Sequence, residues 1–228
     1  MNTGNGELTD DLEQIFSTLR HEFGNTVNSL KMTIDVLIRN YHDFDENARL
    51  EFLYRAQDQV ERQHKFLDAM RTYARATVGE LEEIPLISFW NDCVVLTRER
   101  LADKHIRFSH HIQSEPCRII ANLSAIQNIL KYLIDNAAEA VSDVAFPEIE
   151  LSAYMLFEHL VVQIQDNGPG IHPDIRSRIF TPFFTTRSGH AGLGLSICRK
   201  MLNQMGGRLE LNNRQPFGTD ACVWLKTV

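Results

Sequence analysis

His21 is followed by Glu22 and, one helical turn later on the same side, by Asn25. The apolar residues around them recur at spacings of three and four, which is typical of an amphipathic helix. His21 stands two positions from both Leu19 and Phe23 of this stripe, about 200° around the helix, so we expect it to face water. Imidazole titrates near neutrality, so an exposed His21 is a competent nucleophile. A lone His-Glu pair is ordinarily a surface feature without a function. Whether His21 is functional therefore depends on motifs elsewhere in the chain.

Two glycine-rich stretches in the second half of the chain could bind a phosphorylated ligand. Asp166 ends a predicted strand and opens DNGPGI, with Gly168 and Gly170. Taken alone, an Asp-Asn-Gly sequence is a turn. A second stretch, RSGHAGLGLSI, precedes a predicted helix and carries three glycines: Gly189, Gly192 and Gly194. Free backbone N–H groups at the start of that helix can cradle phosphate.

Further residues fit a nucleotide site. Asn136 lies on a predicted helix in LIDNAAEA and offers an oxygen suited to hydrated Mg²⁺. The stretch IFTPFFTT, residues 179–186, favours an aromatic hinge for a mobile lid. A GxxxxGK[ST] motif is absent, so the sequence does not predict a P-loop.

Composition limits the class of protein. The 228 residues carry a formal net charge of −7, which argues against general nucleic-acid binding and against attraction to an anionic membrane. No apolar run approaches the roughly 20 residues of a membrane span, and the N-terminus lacks a signal-peptide pattern. The four cysteines form no CxxC pair, which suits a reducing compartment and argues against structural zinc. We therefore expect a cytoplasmic protein with no membrane segment in this chain.

The elements that must position these residues fall into two regions. Residues 1–78 are predicted to form a helical hairpin whose first helix ends near Tyr41. One hairpin cannot bury both apolar stripes, so a four-helix bundle from two chains, and hence a homodimer, is expected. After a linker at 79–86, residues 87–228 alternate strand and helix patterns typical of an α+β two-layer sandwich.

The order of the motifs resembles a known family. LIDNAAEA is similar to the N box, DNGPGI to the first G box, IFTPFF to the F box and GHAGLGLSI to the second G box of one ATP-binding domain. Sensor histidine kinases share this domain with Hsp90, type II topoisomerases and mismatch-repair ATPases. PFGTDACVWL is similar to the final glycine-containing strand. HEFGN resembles the HExxN phosphoacceptor box. The whole chain therefore resembles the catalytic core of a two-component sensor histidine kinase.

This resemblance implies roles for particular residues. His21 would accept phosphate, Glu22 would act as general base, and Asn25 would serve a phosphatase activity on a response-regulator receiver domain. Asp166 would accept the adenine amino group, and Asn136 would hold Mg²⁺ on ATP. The remaining nucleotide-binding residues would be Gly168, Gly170, Phe183, Phe184, Arg187, Gly192, Leu193, Gly194 and Thr219. Phe183 and Phe184 would anchor the lid, and Arg187 would meet the γ-phosphate.

Three positions depart from the family pattern. Thr26 replaces a proline, Tyr132 replaces a second N-box asparagine, and Glu139 stands where some relatives carry a lysine. The missing amide and cation shift the burden of phosphate and Mg²⁺ contact toward Asn136 and Arg187. Two alternatives stay open: a phosphotransfer adaptor with weak or no ATP use, and an ATPase or serine kinase that shares only the nucleotide fold.

Overall fold

The fold is seen in a computed structural model that describes residues 4–113, 115, 117–187 and 190–228, with the side chains of the first helix at positions 17, 20 and from 23 onward. In chain order the elements are α1 (Gly4–Arg39), α2 (Glu46–Arg75), β1 (Glu82–Pro85), α3 (Leu86–Leu101), β2 (Arg107–Gln113), β3 (Arg118–Ala121), α4 (Leu123–Ala140), β4 (Glu148–Leu156), β5 (His159–Asp166), a short 3-10 helix (Pro173–Ile175), α5 (Gly194–Gln204), β6 (Arg208–Asn213) and β7 (Thr219–Lys226). They group into two compact units.

The first unit comprises Met1–Arg75 together with Thr181–Ala191. Its two long helices form a hairpin whose polar turn ends where Asp45 caps α2, because Asp45 Oδ1 accepts the backbone N–H of Ala48 at 2.7 Å. The turn is braced by the stacked rings of Phe44 and Phe52, with centroids 5.1 Å apart. No helix in the described part of the chain combines the length and apolar character needed to cross a bilayer.

The second unit, Ala76–Phe180 with Gly192–Val228, is built around a five-stranded sheet of order β2-β4-β5-β7-β6. The β2–β4 pair is parallel, and the other pairs are antiparallel. Helices α3, α4 and α5 pack side by side, and α4 packs on β5. Alternate strand residues face these helices and form the core with fully buried side chains such as Phe89, Ile129, Ile134 and Leu151. The α+β sandwich confirms the fold class predicted for the second domain, and the pairing of two hairpins in a four-helix bundle stays a prediction.

The segment between the hairpin and α3 is tied to the second unit. Val78 donates its backbone N–H to Gln204 Oε1 at 2.8 Å, and Asn122 donates its side-chain amide to the Glu80 carbonyl at 2.9 Å. β1 then pairs with β3 in a small antiparallel sheet. Residues of the predicted linker are therefore anchored on the sandwich by specific hydrogen bonds.

Candidate active site

Asp166 lies at the end of the central strand β5 with only 5% of its surface exposed. Its Oδ1 accepts the backbone N–H of Gly168 at 2.8 Å and that of Thr219 at 3.2 Å. Thr219 begins β7, which pairs with β5, so the sheet register fixes this contact. The carboxylate is thus held in one orientation, and because a carboxylate has about four acceptor positions it can still accept a further N–H.

The pKa of Asp166 is raised above its usual value, and burial is the largest cause. The two backbone N–H groups, the Thr219 hydroxyl and the charge of Arg214 oppose this increase. Arg214 also donates from Nη1 to the Asp166 carbonyl at 3.4 Å and lies 3.4 Å from the Asp220 carboxylate. The site therefore combines a desolvated acid with a cation that favours its ionised form.

Glycines permit the chain to close around this acid. A Cβ on Gly168 would lie 2.7 Å from the Ala140 carbonyl oxygen, which no side chain allows. Gly170 has a φ of +79°, in the left-handed region that favours glycine. Glycine is therefore required at both positions of the DNGPG turn for steric reasons.

Two asparagines that the sequence analysis did not single out hold the same loop in place. Asn167 donates to the Phe146 carbonyl at 2.7 Å and accepts the Glu148 backbone N–H at 2.9 Å. Asn213, at the end of β6, accepts the Ile171 N–H at 2.8 Å and donates to the Ile171 carbonyl at 2.9 Å. These amides replace missing backbone partners of an irregular loop. Only the fold brings Asn213 to residue 171, although Asn167 could have been suspected from its place in the motif.

The start of α5 supplies backbone donors. Leu193 precedes the helix, is 6% exposed and makes no side-chain capping bond to the first turn. Gly192 has a φ of +66°, and a Cβ on Gly194 would lie 3.2 Å from Tyr132 Cδ1. The first turn of a helix leaves N–H groups that its own backbone cannot satisfy, and these groups favour an anion. Gly189 lies outside the described residues.

Helix α4 carries Asn136, the predicted Mg²⁺ ligand. Asn122 caps its start by accepting the Ala125 N–H at 3.0 Å, and the half-buried Asn136 lies about four turns further along. Tyr132, one turn before Asn136, packs its ring beside Gly194 and so occupies space at the start of α5. Glu139 is half-buried. No group of three or more His, Cys, Asp or Glu that could hold a metal occurs among the described residues.

The predicted lid residues lie in the segment Thr181–Ala191, which belongs to the first compact unit. Pro182 is buried and both Phe183 and Phe184 are half-buried, whereas Arg187 is exposed. Phe183 has a φ of +67°, which is unusual for a residue with a side chain. The first half of the segment is thus packed, and the part that includes Arg187 is accessible.

The predicted phosphoacceptor residues lie in α1. His21 and Glu22 have helical backbone, but their side chains lie outside the described ones. Asn25 is exposed on the same helix, as the periodicity predicts. Phe23 packs against Phe66 of α2 edge to face, with centroids 5.7 Å apart. The HEFGN stretch is therefore on a helix whose apolar stripe packs on its neighbour.

Comparison with known proteins agrees with this geometry. Residues 121–228 match the family described as histidine kinase-, DNA gyrase B- and HSP90-like ATPase. This places α4, the Asp166 turn, α5 and the last two strands in an ATPase-type nucleotide-binding domain. The catalytic domain of the histidine kinase ThkA is 30% identical, with a TM-score of 0.57 over 65% of this chain and 98% of that one. The chain belongs to the sensor histidine kinase family.

Longer matches extend across the hairpin. The C4-dicarboxylate transport sensor protein DctB of Rhizobium meliloti strain 1021 is 25% identical over 94% of this chain. The sensory histidine kinase/phosphatase NtrB of the same strain is 27% identical over 87%. The chain spans 34% and 54% of the lengths of these two relatives. ThkA in complex with the response regulator protein TrrA shares the fold over 99% of this chain, with a TM-score of 0.63 at 23% identity.

Proposed function

We propose that this chain is the catalytic core of a sensor histidine kinase that transfers the γ-phosphoryl group of Mg·ATP to His21 and then to an aspartate of a response regulator. The observation that carries the proposal is the fixed, buried carboxylate of Asp166, in an ATPase-type domain on the same chain as the helical HEFGN stretch. An adaptor without ATP use would have no need of this preformed site.

Asp166 would recognise the adenine base. In its ionised form the carboxylate only accepts hydrogen bonds, so it pairs with the adenine amino group and would repel a guanine oxygen at that position. The backbone N–H of Gly168 and Thr219 aim the carboxylate, and burial strengthens the selection because water cannot replace a missing partner. Selection for ATP over GTP follows from these groups.

The triphosphate would be held at the opposite side of the site. Backbone N–H groups at Gly192, Leu193 and Gly194 would bind its oxygens, and Arg187 would meet the γ-phosphate. Asn136 would hold Mg²⁺, which neutralises charge on the phosphates. Tyr132 cannot supply the second amide of the family pattern, and its ring instead supports the start of α5 beside Gly194.

The transfer step needs two groups of the hairpin. The lone pair of one His21 ring nitrogen forms the N–P bond while the bond from the γ-phosphorus to the bridging oxygen breaks and ADP leaves. The proton on the other ring nitrogen passes to the Glu22 carboxylate, so that phosphohistidine is left neutral at that nitrogen. By accepting a hydrogen bond from that nitrogen, the same carboxylate would hold the imidazole ring in the orientation that attacks the γ-phosphorus.

A second copy of the chain would complete the hairpin. An apolar groove between α1 and α2 is lined by Thr26, Val27, Leu30, Gln59, Val60, Gln63, His64 and Leu67. Gln63 Nε2 is buried there, and no described residue is its hydrogen-bond partner. The exposed apolar residues that line the groove, Val27, Val60 and Leu67, favour a symmetric four-helix bundle.

Asn25 would act in the reverse direction of signalling. NtrB is described as a kinase and phosphatase, and ThkA has been solved with a response regulator. An exposed amide one turn from His21 can orient water toward the acyl phosphate of a docked receiver domain without itself titrating. Phosphatase activity on that regulator therefore belongs to the proposal.

Incubation with γ-labelled ATP tests the assignment. Label on the wild-type chain should be acid-labile and alkali-stable, as phosphohistidine is. His21→Gln should bind Mg·ATP and take up no label, and Asp166→Asn should lose ATP binding while the hairpin remains folded. Asp174→Asn is the matched control, because its carboxylate is 84% exposed. Label on His21→Gln, or acid-stable label on the wild type, would favour the serine-kinase alternative.

A further inference from the structure

A row of three aromatic rings links the segment 181–191 to the turn of α1 that carries His21. The rings of Phe183 and Phe66 lie 4.7 Å apart at an interplanar angle of 43°. Phe66 in turn contacts Phe23 edge to face, and Phe23 is two residues after His21. All three rings belong to the same compact unit.

The segment is packed only at its beginning. Pro182 is buried and Phe183 half-buried, whereas residues 185–187 are exposed. On α2, Ala69 lies one turn after Phe66 and is the only residue of that helix in the buried class, at 8% exposure. The part of α2 that carries Phe66 and Ala69 is therefore the part with the most buried residue of the helix. This burial is consistent with packing of the start of the segment, at Pro182 and Phe183, on that part of α2.

The backbone of Phe183 supports a dedicated contact. Its φ of +67° is a conformation that a residue with a side chain adopts only at a cost in free energy. Such a conformation persists where surrounding contacts offset it, and it occurs preferentially at ligand clamps and switches. The ring contact with Phe66 and the hydrogen bond from the Phe184 N–H to the Thr181 carbonyl, at 3.1 Å, are interactions that can offset this cost.

We propose that Phe66 is a positioning residue for phosphoryl transfer, because it receives Phe183 and so holds the exposed part of the segment, with Arg187, beside the turn that carries His21. The inference rests on the proposed kinase function. Phe66 belongs to the hairpin, and its ring contacts Phe23 and Phe183. Its loss should therefore change the geometry of attack through this segment more than the binding of adenine at Asp166. Misplacement of reacting groups by about 1 Å can cost on the order of 100-fold in rate.

The test compares Phe66→Leu, Phe183→Leu and the double variant with the wild-type chain. Initial rates of His21 labelling are measured over a range of ATP concentrations, and ATP affinity is measured separately by calorimetry. We expect kcat to fall about 10- to 100-fold in each single variant. KM for ATP should stay within about two-fold of the wild-type value in Phe66→Leu, because Phe66 is not one of the predicted nucleotide-binding residues. The double variant should be no slower than the slower single variant, because both remove one shared contact.

Phe52→Leu is the matched control, since it makes the same change on α2 where the ring stacks on Phe44 in the turn. An equal fall in kcat for Phe52→Leu would show a general effect on the helix and would overturn the positioning role. Unchanged kcat in Phe66→Leu and Phe183→Leu would overturn it as well. Raised kcat would identify the contact as a brake and reject the proposal. Absence of any label on the wild-type chain would reject the kinase function itself, and the positioning role with it.

Discussion

A Cβ on Gly218 would lie 1.9 Å from the carbonyl oxygen of Asp166, in a glycine whose φ is +111°. Asp166 ends β5, and Gly218 directly precedes β7, which pairs with β5, so the turn before β7 passes over the end of β5. The absence of a side chain at Gly218 allows the Thr219 N–H to reach Asp166 Oδ1. One glycine therefore permits the close approach of the turn before β7 to Asp166.

Gly218→Ala should destabilise the sandwich. The added methyl group meets backbone that cannot move without breaking the β5–β7 pairing, and we expect a loss of about 3 kcal/mol or more in the free energy of unfolding. Gly24→Ala is the matched control, because a Cβ there meets nothing within 4 Å and the residue lies inside α1. That control should stabilise its helix by about 0.5–1 kcal/mol. Denaturant unfolding of both variants decides the matter, and equal effects would refute the steric account.

ATP binding should weaken on acidification at a higher pH than an ordinary aspartate would predict. Burial raises the pKa of Asp166, and its protonated form loses an acceptor for the adenine amino group. The charge of Arg214 lowers this pKa, so Arg214→Gln should move the midpoint of ATP binding to higher pH. Arg118→Gln, which removes an ion pair with Glu83, is the control and should leave the midpoint in place. The midpoint is measured by calorimetric titrations with ATP from neutral to acidic pH. If the midpoints of the wild type and Arg214→Gln coincide, Arg214 does not affect the pKa of Asp166.

The same shift makes a prediction for stability. A carboxyl whose pKa is higher in the folded than in the unfolded chain favours folding in its protonated form. The stability that Asp166 contributes is therefore fully present below the unfolded pKa and is lost as pH rises through the folded pKa. Asp166→Asn should flatten this part of the profile of unfolding free energy against pH. A profile of unchanged slope would mean that Asp166 titrates as an exposed acid does.

Glu22 and Asn25 should separate the two directions of chemistry. Glu22→Ala should lower the autophosphorylation rate by about 10²–10⁴-fold, because the imidazole loses its proton acceptor. Asn25→Ala should keep autophosphorylation and leave the partner regulator phosphorylated for longer. Each rate is measured on both variants, so each variant is the control for the other. Wild-type dephosphorylation by Asn25→Ala would leave Asn25 as a solvated surface amide.

Val60→Glu should convert the proposed dimer to monomers. Val60 is 42% exposed and lines the apolar groove. In a symmetric dimer, each of the two chains would bury one new carboxylate at this position in the interface without a partner of opposite charge. Tyr54→Glu is the control, because Tyr54 lies on α2 outside that groove and is 66% exposed. Light scattering during size-exclusion chromatography should show dimers for the control only. Dimers of both variants would place the interface elsewhere.

Sequence periodicity predicts those elements whose residues lie close together in the chain. The hairpin of α1 and α2, the β4–β5 pair and α5 each follow from residues close together in the chain, as does the turn after Asp166. Helix α3 also has a local signal, because its buried residues recur at helical spacing: Leu86, Phe89, Trp90, Cys93, Val94, Thr97 and Leu101. That signal was present in the chain.

Other features have no local signal. Asn213 bonds both backbone groups of Ile171 across 42 residues, and the parallel pairing of β2 with β4 joins strands separated by α4. The influence of Arg214 on Asp166 likewise depends on which strands pair. Sequence order specifies these partners only through the completed sheet, because register brings them together. The roles of the site residues in catalysis remain predictions.

The bond between Val78 and Gln204 has a kinetic consequence. Two residues, Ala76 and Thr77, separate the end of α2 at Arg75 from Val78, which bonds to the sandwich. An extended chain covers about 3.6 Å per residue, so this tether spans roughly 10 Å. In the proposed kinase, a link this short would give nucleotide bound to the sandwich a high effective concentration toward the hairpin of the same molecule. Phosphorylation within an assembled molecule should therefore be first order, with a rate independent of how dilute the protein is.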